Sequence, residues 1–382
     1  MILLFLPFFI TSEVYFEERF GRGWDNRWTK SSRSTPGNLL GRFRVSAGSF
    51  YYDRRIQRGL QTVDNNREYL ISSKFNKCFN TTGKDLIFQF SVKLENKMEK
   101  GQAYIKLFPE SFNQGQFSKK SPFSILFGPD FNGWARKHLD FRITRNKTVY
   151  NTYQPIVAFD DQFTHVYTLI IYKNQTYKIL KDNYTEIESS LENAFCYCQP
   201  KEIPDPFEEK PKDWVDDEFI DDPDDQPPEY MKNMPKFIQD LTVKRPKNWD
   251  DKINGIWTPP LIPNPDYNNK WEPRKIPNPE FKGIWEPKTI QNPDYNPDLH
   301  FGKPENLCYL GIDVTQDVSG CIWNNILVTD DFEYSQKVME ETFFSIQEGE
   351  RYVFLQNNKG EILKQNNEDV VSKNSDSLPS DL

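Results

Sequence analysis

The chemistry available to this chain is sought first among its cysteines and carboxylates. Five cysteines, Cys78, Cys196, Cys198, Cys308 and Cys321, leave one thiol over if two disulfides form. Cys196-Tyr197-Cys198 has one intervening residue where the redox CxxC has two, so thiol catalysis is poorly supported. Glycoside hydrolysis needs paired carboxylates across a sugar cleft, and no strand-like segment carries alternating Glu and Asp. Residues 213–225 are rich in acids that offer weak calcium ligands, but a solvated charge run has the same composition and is the favoured reading. Tyr104 and Lys106 stand two apart in a strand-like segment and so share one sheet face. These patterns point to a binding protein and not to an enzyme.

The 382 residues carry a formal net charge of −8, which leaves no basic stripe to release phosphate counterions and argues against nucleic-acid binding. Residues 1–12 read as a signal peptide: an apolar run ends in Ile10, Thr11 and Ser12 and is too short to span a bilayer. A buried N-terminal strand is the competing reading. No later window approaches about eighteen apolar residues, so no membrane span is expected and the mature chain should be lumenal or secreted. Acceptor sequons beginning at Asn80, Asn146, Asn174 and Asn183 fit that compartment.

The elements that must position these groups are mostly strands. Residues 13–200 alternate in Leu86-Ile-Phe-Gln-Phe-Ser-Val, Ala103-Tyr-Ile-Lys-Leu-Phe and Tyr167-Thr-Leu-Ile-Ile-Tyr, with turns at sandwich-like intervals. Residues 300–356 add two strands, Tyr309-Leu-Gly-Ile-Asp-Val and Cys321-Ile-Trp-Asn-Asn-Ile-Leu-Val, which are too short a group to fold alone. Both groups therefore belong to one all-β sandwich, with residues 201–299 inserted. After Asp330, Phe332, Val338, Phe343 and Phe344 recur at helical spacing and predict an amphipathic helix on the sandwich. Residues 357–382 are polar and expected to be disordered.

The insertion holds most of the 27 prolines and five of the nine tryptophans. It is built of repeats. Ile203-Pro-Asp-Pro…Trp214 recurs from Ile220 to Tyr230 and from Ile238 to Trp249. A second unit, Gly255-Ile-Trp-Thr-Pro-Pro-Leu-Ile-Pro-Asn-Pro-Asp-Tyr267, recurs from Lys270 to Phe281 and from Gly283 to Tyr295. Three units followed by three others predict an out-and-back hairpin arm. Proline stiffens each leg and removes donors, so facing aromatic residues are expected to supply the cohesion. A disordered proline-rich linker would not hold tryptophan at fixed repeat positions.

This order of repeats between two halves of a sandwich resembles the calreticulin/calnexin family. The match extends from Val14 to about Thr342 and includes Gly59-Leu-Gln-Thr, Tyr104-Ile-Lys-Leu-Phe-Pro, Phe127-Gly-Pro-Asp130, Phe163-Thr-His-Val-Tyr-Thr and Leu310-Gly-Ile-Asp-Val. The resemblance implies a divergent member with a concanavalin-like jelly-roll β-sandwich. It further implies a lectin chaperone of the endoplasmic reticulum that binds monoglucosylated oligomannose glycans on unfolded glycoproteins. The sugar contacts implied by motif are Tyr104, Lys106, Asp130 and Asp313, with Phe123 where the family has a tyrosine and Thr315 where it usually has a tryptophan. A glycan-independent polypeptide chaperone or secreted interaction protein on the same scaffold is the alternative.

Three further expectations follow from the resemblance. The family's structural Ca2+ site maps to carbonyls near Ile56 and Arg58 and to the side chains Arg19 and Asn324, where a guanidinium cannot ligate a cation, so calcium binding is expected to be weak or lost. At the arm tip Trp257 remains, while Lys252, Asn254 and Ile256 replace the acids that recruit a partner of the disulfide-isomerase family, so a different partner or an apolar contact through Ile253, Ile256 and Trp257 is the expectation. Lys100 and Asn132 occupy the positions of the family's disulfide, and a different bridge, from Cys198 or Cys196 to Cys308, is expected where the two arm bases meet. The C-terminal Leu378-Pro-Ser-Asp-Leu382 is not a KDEL-type signal, so cell-surface or secreted protein is also expected.

Overall fold

A computed structural model describes residues 12–33, 39–132, 137–267, 272–304 and 306–359. The expected signal peptide, apart from Ser12, and the expected disordered tail from residue 360 onward lie outside the described residues. The chain divides into two compact units, Met1–Gln199 with Asp294–Leu382, and Pro200–Pro293.

The first unit is a sandwich of two antiparallel sheets. One sheet has seven strands in the order Thr148–Asn151, Lys137–Arg145, Ile125–Phe131, Gly101–Pro109, Leu307–Gln316, Arg67–Phe79, Trp28–Lys30. The other has eight, and within it Cys321–Thr329 lies between Leu86–Leu94 and Gly59–Thr62. Both strands that follow the insertion thus occupy central positions, one in each sheet. Neither sheet is complete without them. Alternate residues of the facing strands make the common core: Ile105, Phe127 and Ile312 from the seven-stranded sheet pack with Phe88, Phe90 and Trp323 from the other. Phe90 meets Phe127 across the layers at 5.7 Å between centroids and Trp323 at 5.4 Å.

All nine residues of Leu86–Leu94 are buried, because a helical segment covers the outer face of this strand's sheet. That segment differs from a single amphipathic helix. It runs as an α-helix Phe332–Met339, a π-helical stretch Glu340–Phe344 and an α-helix Gln347–Asn357. The wider π turn sets Phe343 on the buried side with Val338 and leaves Phe344 exposed, and Phe332, at the start of the first helix, is exposed as well. The last helix is held by a charge pair that hydropathy does not reveal. Lys93 Nζ lies 2.9 Å from Glu350 Oε1, with both side chains almost fully buried. Gln57 Nε2, Thr164 N and Thr164 Oγ1 donate to the same carboxylate at 2.8–2.9 Å.

The predicted bridge from Cys198 or Cys196 to Cys308 is not formed. Cys308 is bonded to Cys78, with Cα atoms 4.3 Å apart, while Cys196, Cys198 and Cys321 are free thiols. Strand register explains the choice: Leu307 pairs with Phe79, and an irregularity before Tyr309 brings Cys308 beside Cys78.

The second unit is an antiparallel out-and-back chain joined by three short ladders, Glu202–Pro204 with Thr289–Gln291, Phe219–Asp221 with Lys275–Pro277, and Phe237–Gln239 with Leu261–Pro263. At each centre two isoleucines face one another: Ile203 and Ile290, Ile220 and Ile276, Ile238 and Ile262. The expected facing aromatic pairs are not seen among the described residues of this unit, where no two rings pair. Its prolines remove backbone donors, and asparagine amides replace them. Asn264, Asn278 and Asn292 donate from Nδ2 across to the carbonyls of Pro235, Asp217 and Pro200 at 2.8–2.9 Å. Trp214 contributes through its indole N–H, 2.8 Å from the Gly283 carbonyl.

Candidate functional site

The Gly101–Pro109 strand places Ala103, Ile105 and Leu107 in the core, so Tyr104 and Lys106 point to the outer face of the seven-stranded sheet. Pairing brings the neighbours into register: Tyr104 is opposite Asp313, and Lys106 is opposite Gly311 on one side and Leu126 on the other. By the same alternation Asp130 and Thr315 share this face. Phe123 packs at its edge in a small apolar cluster with Phe108, Phe117 and Phe112.

The polar groups form two networks. In the first, Lys106 Nζ lies 2.6 Å from Asp313 Oδ2 and donates to the Lys119 carbonyl at 2.9 Å. Its charge also stands 5.4 Å from the centre of the Phe123 ring. Asp313 is fully buried, and its Oδ1 has no hydrogen-bond partner among the described residues; the same holds for Thr315 Oγ1 and Arg142 Nε. Enclosed polar atoms without partners cost about 1–3 kcal/mol each, and this face concentrates three of them.

In the second network the Tyr104 hydroxyl lies 2.6 Å from Asp130 Oδ2 and 2.9 Å from Asp140 Oδ2. Its single proton serves one carboxylate at a time. Burial, followed by the charge of Asp140 and the hydrogen bond to Asp130, drives the phenol pKa far upward. Asp140 is in turn paired with Arg142 and with His138 Nε2, the latter at 2.8 Å. Asp130, His138 and Asp140 place one ligand atom each within 4.8 Å of one another, but these carboxylates are already engaged by Tyr104, His138 and Arg142. His138, Asp140 and Arg142 were not singled out from sequence. The signal was present: they alternate with the core residues Leu139, Phe141 and Ile143.

The residues mapped to the cation site do not fit calcium. Asn324 Nδ2 donates to the Ile56 carbonyl at 2.7 Å and so occupies one candidate ligand. Arg19 lies near Glu17 and Glu341, and Arg58 faces a cavity of about 370 Å³ lined by Arg19, Arg54, Arg55 and Arg58 with no carboxylate. Positive charge in such excess repels a divalent cation. At the turn of the arm, Asp250 caps a short helix, Asp251–Asn254, and Ile253 and Ile256 are 80% and 87% exposed beside a half-buried Trp257. Trp249 holds the turn by donating to the Gly255 carbonyl at 2.9 Å.

The sequence profile of the calreticulin family matches residues 15–256 and 252–328. The chain belongs to the calreticulin family. Calreticulin from Chlamydomonas reinhardtii is 38% identical over 346 residues, covering 90% of this chain and 82% of the relative, and that from Drosophila melanogaster is 38% identical over 342 residues, covering 89% and 83%. Calreticulin from Dictyostelium discoideum is 37% identical over 359 residues, covering 93% and 84%. Among solved structures the T. cruzi calreticulin globular domain superposes with a TM-score of 0.64 at 24% identity, covering 91% of this chain and 99% of that one, which shows the shared fold. Among the described residues no helix is long and apolar enough to cross a membrane.

Proposed function

We propose that this calreticulin-family chain is a non-enzymatic lectin chaperone of the endoplasmic reticulum, binding monoglucosylated N-glycans of unfolded glycoproteins on the outer face of its seven-stranded sheet. The observation that carries this reading is the unpaired Asp313 Oδ1, enclosed beside Lys106 in register with Tyr104. A carboxylate oxygen left without a donor keeps an acceptor that a sugar hydroxyl would fill once the closed pair opens, and the adjoining Phe123 ring offers an apolar surface to a sugar C–H face. Phenylalanine in place of tyrosine at position 123 removes one hydrogen bond, worth about 0.5–1.5 kcal/mol, so affinity is lower than with a full set of contacts.

Calcium has no role at the mapped site in this reading, because Arg19 replaces one side-chain ligand and the Asn324 amide, turned to donate to the Ile56 carbonyl, replaces the other. The tip presents Ile253, Ile256 and Trp257 to a partner through apolar contact in place of acidic attraction. A glycan array comparing monoglucosylated with unglucosylated oligomannose tests the lectin reading. Selective binding, lost in Tyr104→Phe and Asp313→Asn, supports it; equal or absent binding rejects it. One observation favours the second reading, a glycan-independent polypeptide chaperone: Lys106 and Asp313 are 3% and 0% exposed, closed over as a structural pair. Suppression of client aggregation with no glycan selectivity would select it.

A further inference from the structure

The arginine-lined cavity has the composition of a binding site for an anion. It lies where the end of the Phe43–Ser46 strand meets the turn after Val14–Glu18 and the loop carrying Arg54, Arg55 and Arg58. At about 370 Å³ it falls within the range of small-molecule pockets. Four guanidinium groups line it in a chain whose net charge is −8, so the concentration of positive charge is local and not a general property of the surface. Only Arg19 is neutralised, by Glu17 at 2.8 Å and Glu341 at 3.2 Å. Among the described residues Arg54, Arg55 and Arg58 have no ion pair. Arg58 Nε is shut off from solvent and lacks an acceptor among the described residues.

Three unpaired arginines around one cavity repel one another, weakly at the exposed Arg54 and Arg55, and an anion that joins them relieves that repulsion. The guanidinium fork donates two parallel N–H groups and matches tetrahedral oxyanions. We propose that this cavity binds a phosphate-type oxyanion, either free phosphate or the phosphate monoester of a small molecule, on Arg54, Arg55 and Arg58. The site is independent of the proposed glycan face, so its failure or success leaves that reading unaffected.

Isothermal titration calorimetry of the full chain at constant ionic strength, with inorganic phosphate and with glucose 6-phosphate, tests the proposal. Saturable one-to-one binding is expected, weakened ~10-fold or more in Arg58→Gln and in Arg54→Gln/Arg55→Gln. Arg54 and Arg55 are exposed, so the double variant retains its melting temperature even if Arg58→Gln does not. Tighter binding of the sugar ester identifies a monoester as the ligand, and equal or weaker binding identifies the free anion. An absence of saturable heat for both probes, or affinities that the double variant leaves unchanged, overturns the site.

Discussion

Lys106 Nζ and Asp313 Oδ2 are 2.6 Å apart, joining a strand from before the insertion to the first strand after it. The pair is closed off from solvent, so its value to stability is asymmetric: losing both charges costs little, and losing one strands the other. Lys106→Met is expected to destabilise the chain by about 3–5 kcal/mol, and Lys106→Met combined with Asp313→Leu to recover most of that. Urea denaturation of the two variants checks this; equal losses in both would show that the charges are not coupled.

His165 sits between two carboxylates, with Nδ1 2.7 Å from Asp182 and Nε2 2.7 Å from Asp161, and stacks on Phe159. Burial lowers its pKa, but hydrogen bonds and charge from Asp161 and Asp182 outweigh that and raise it to about 9. A folded-state pKa above the unfolded value means that the protonated ring stabilises the fold fully below about pH 6.5. This contribution, on the order of 3 kcal/mol, is lost as pH rises through 9. The stability difference between the wild-type chain and His165→Gln should therefore shrink from pH 6 to pH 10. A difference independent of pH would rule the charge out.

In the arm, Asn278→Ala removes the cross-leg bond to the Asp217 carbonyl and is expected to cost ~1 kcal/mol within that unit. Amide exchange at Asp222, whose N–H bonds to the Arg274 carbonyl in the same ladder, should accelerate by about five-fold. The melting of the sandwich should not change. Unchanged exchange would assign the cohesion of the legs elsewhere.

Non-reducing peptide mapping should recover Cys78 linked to Cys308, with Cys196 and Cys198 open to alkylation. Cys78→Ser is expected to lower stability by about 2–5 kcal/mol. A Cys198–Cys308 peptide would contradict the register of the two strands.

The sandwich and its insertion were legible because they rest on local pattern: alternation in residues 86–92 and recurring Pro-Asn-Pro units. The Tyr104 and Lys106 face was legible for the same reason. What escaped depends on register between distant segments. Cys308 finds Cys78 only once residues 307 and 79 are paired, and composition carries no record of that. Glu350 reads as a surface residue until Lys93, Gln57 and Thr164 converge on it. Composition points to the arm's aromatic residues as partners across the legs, yet among the described residues the asparagines that precede its prolines span them, because proline takes away the donors that a ladder needs.

The covalent link between residues 78 and 308 encloses the entire Pro200–Pro293 unit within one loop of the chain. A protease that nicks this unit therefore releases no fragment: the two pieces travel as one molecule until a reductant and a denaturant act together. Two such nicks would excise the arm and leave a stitched, two-chain sandwich with every strand still present.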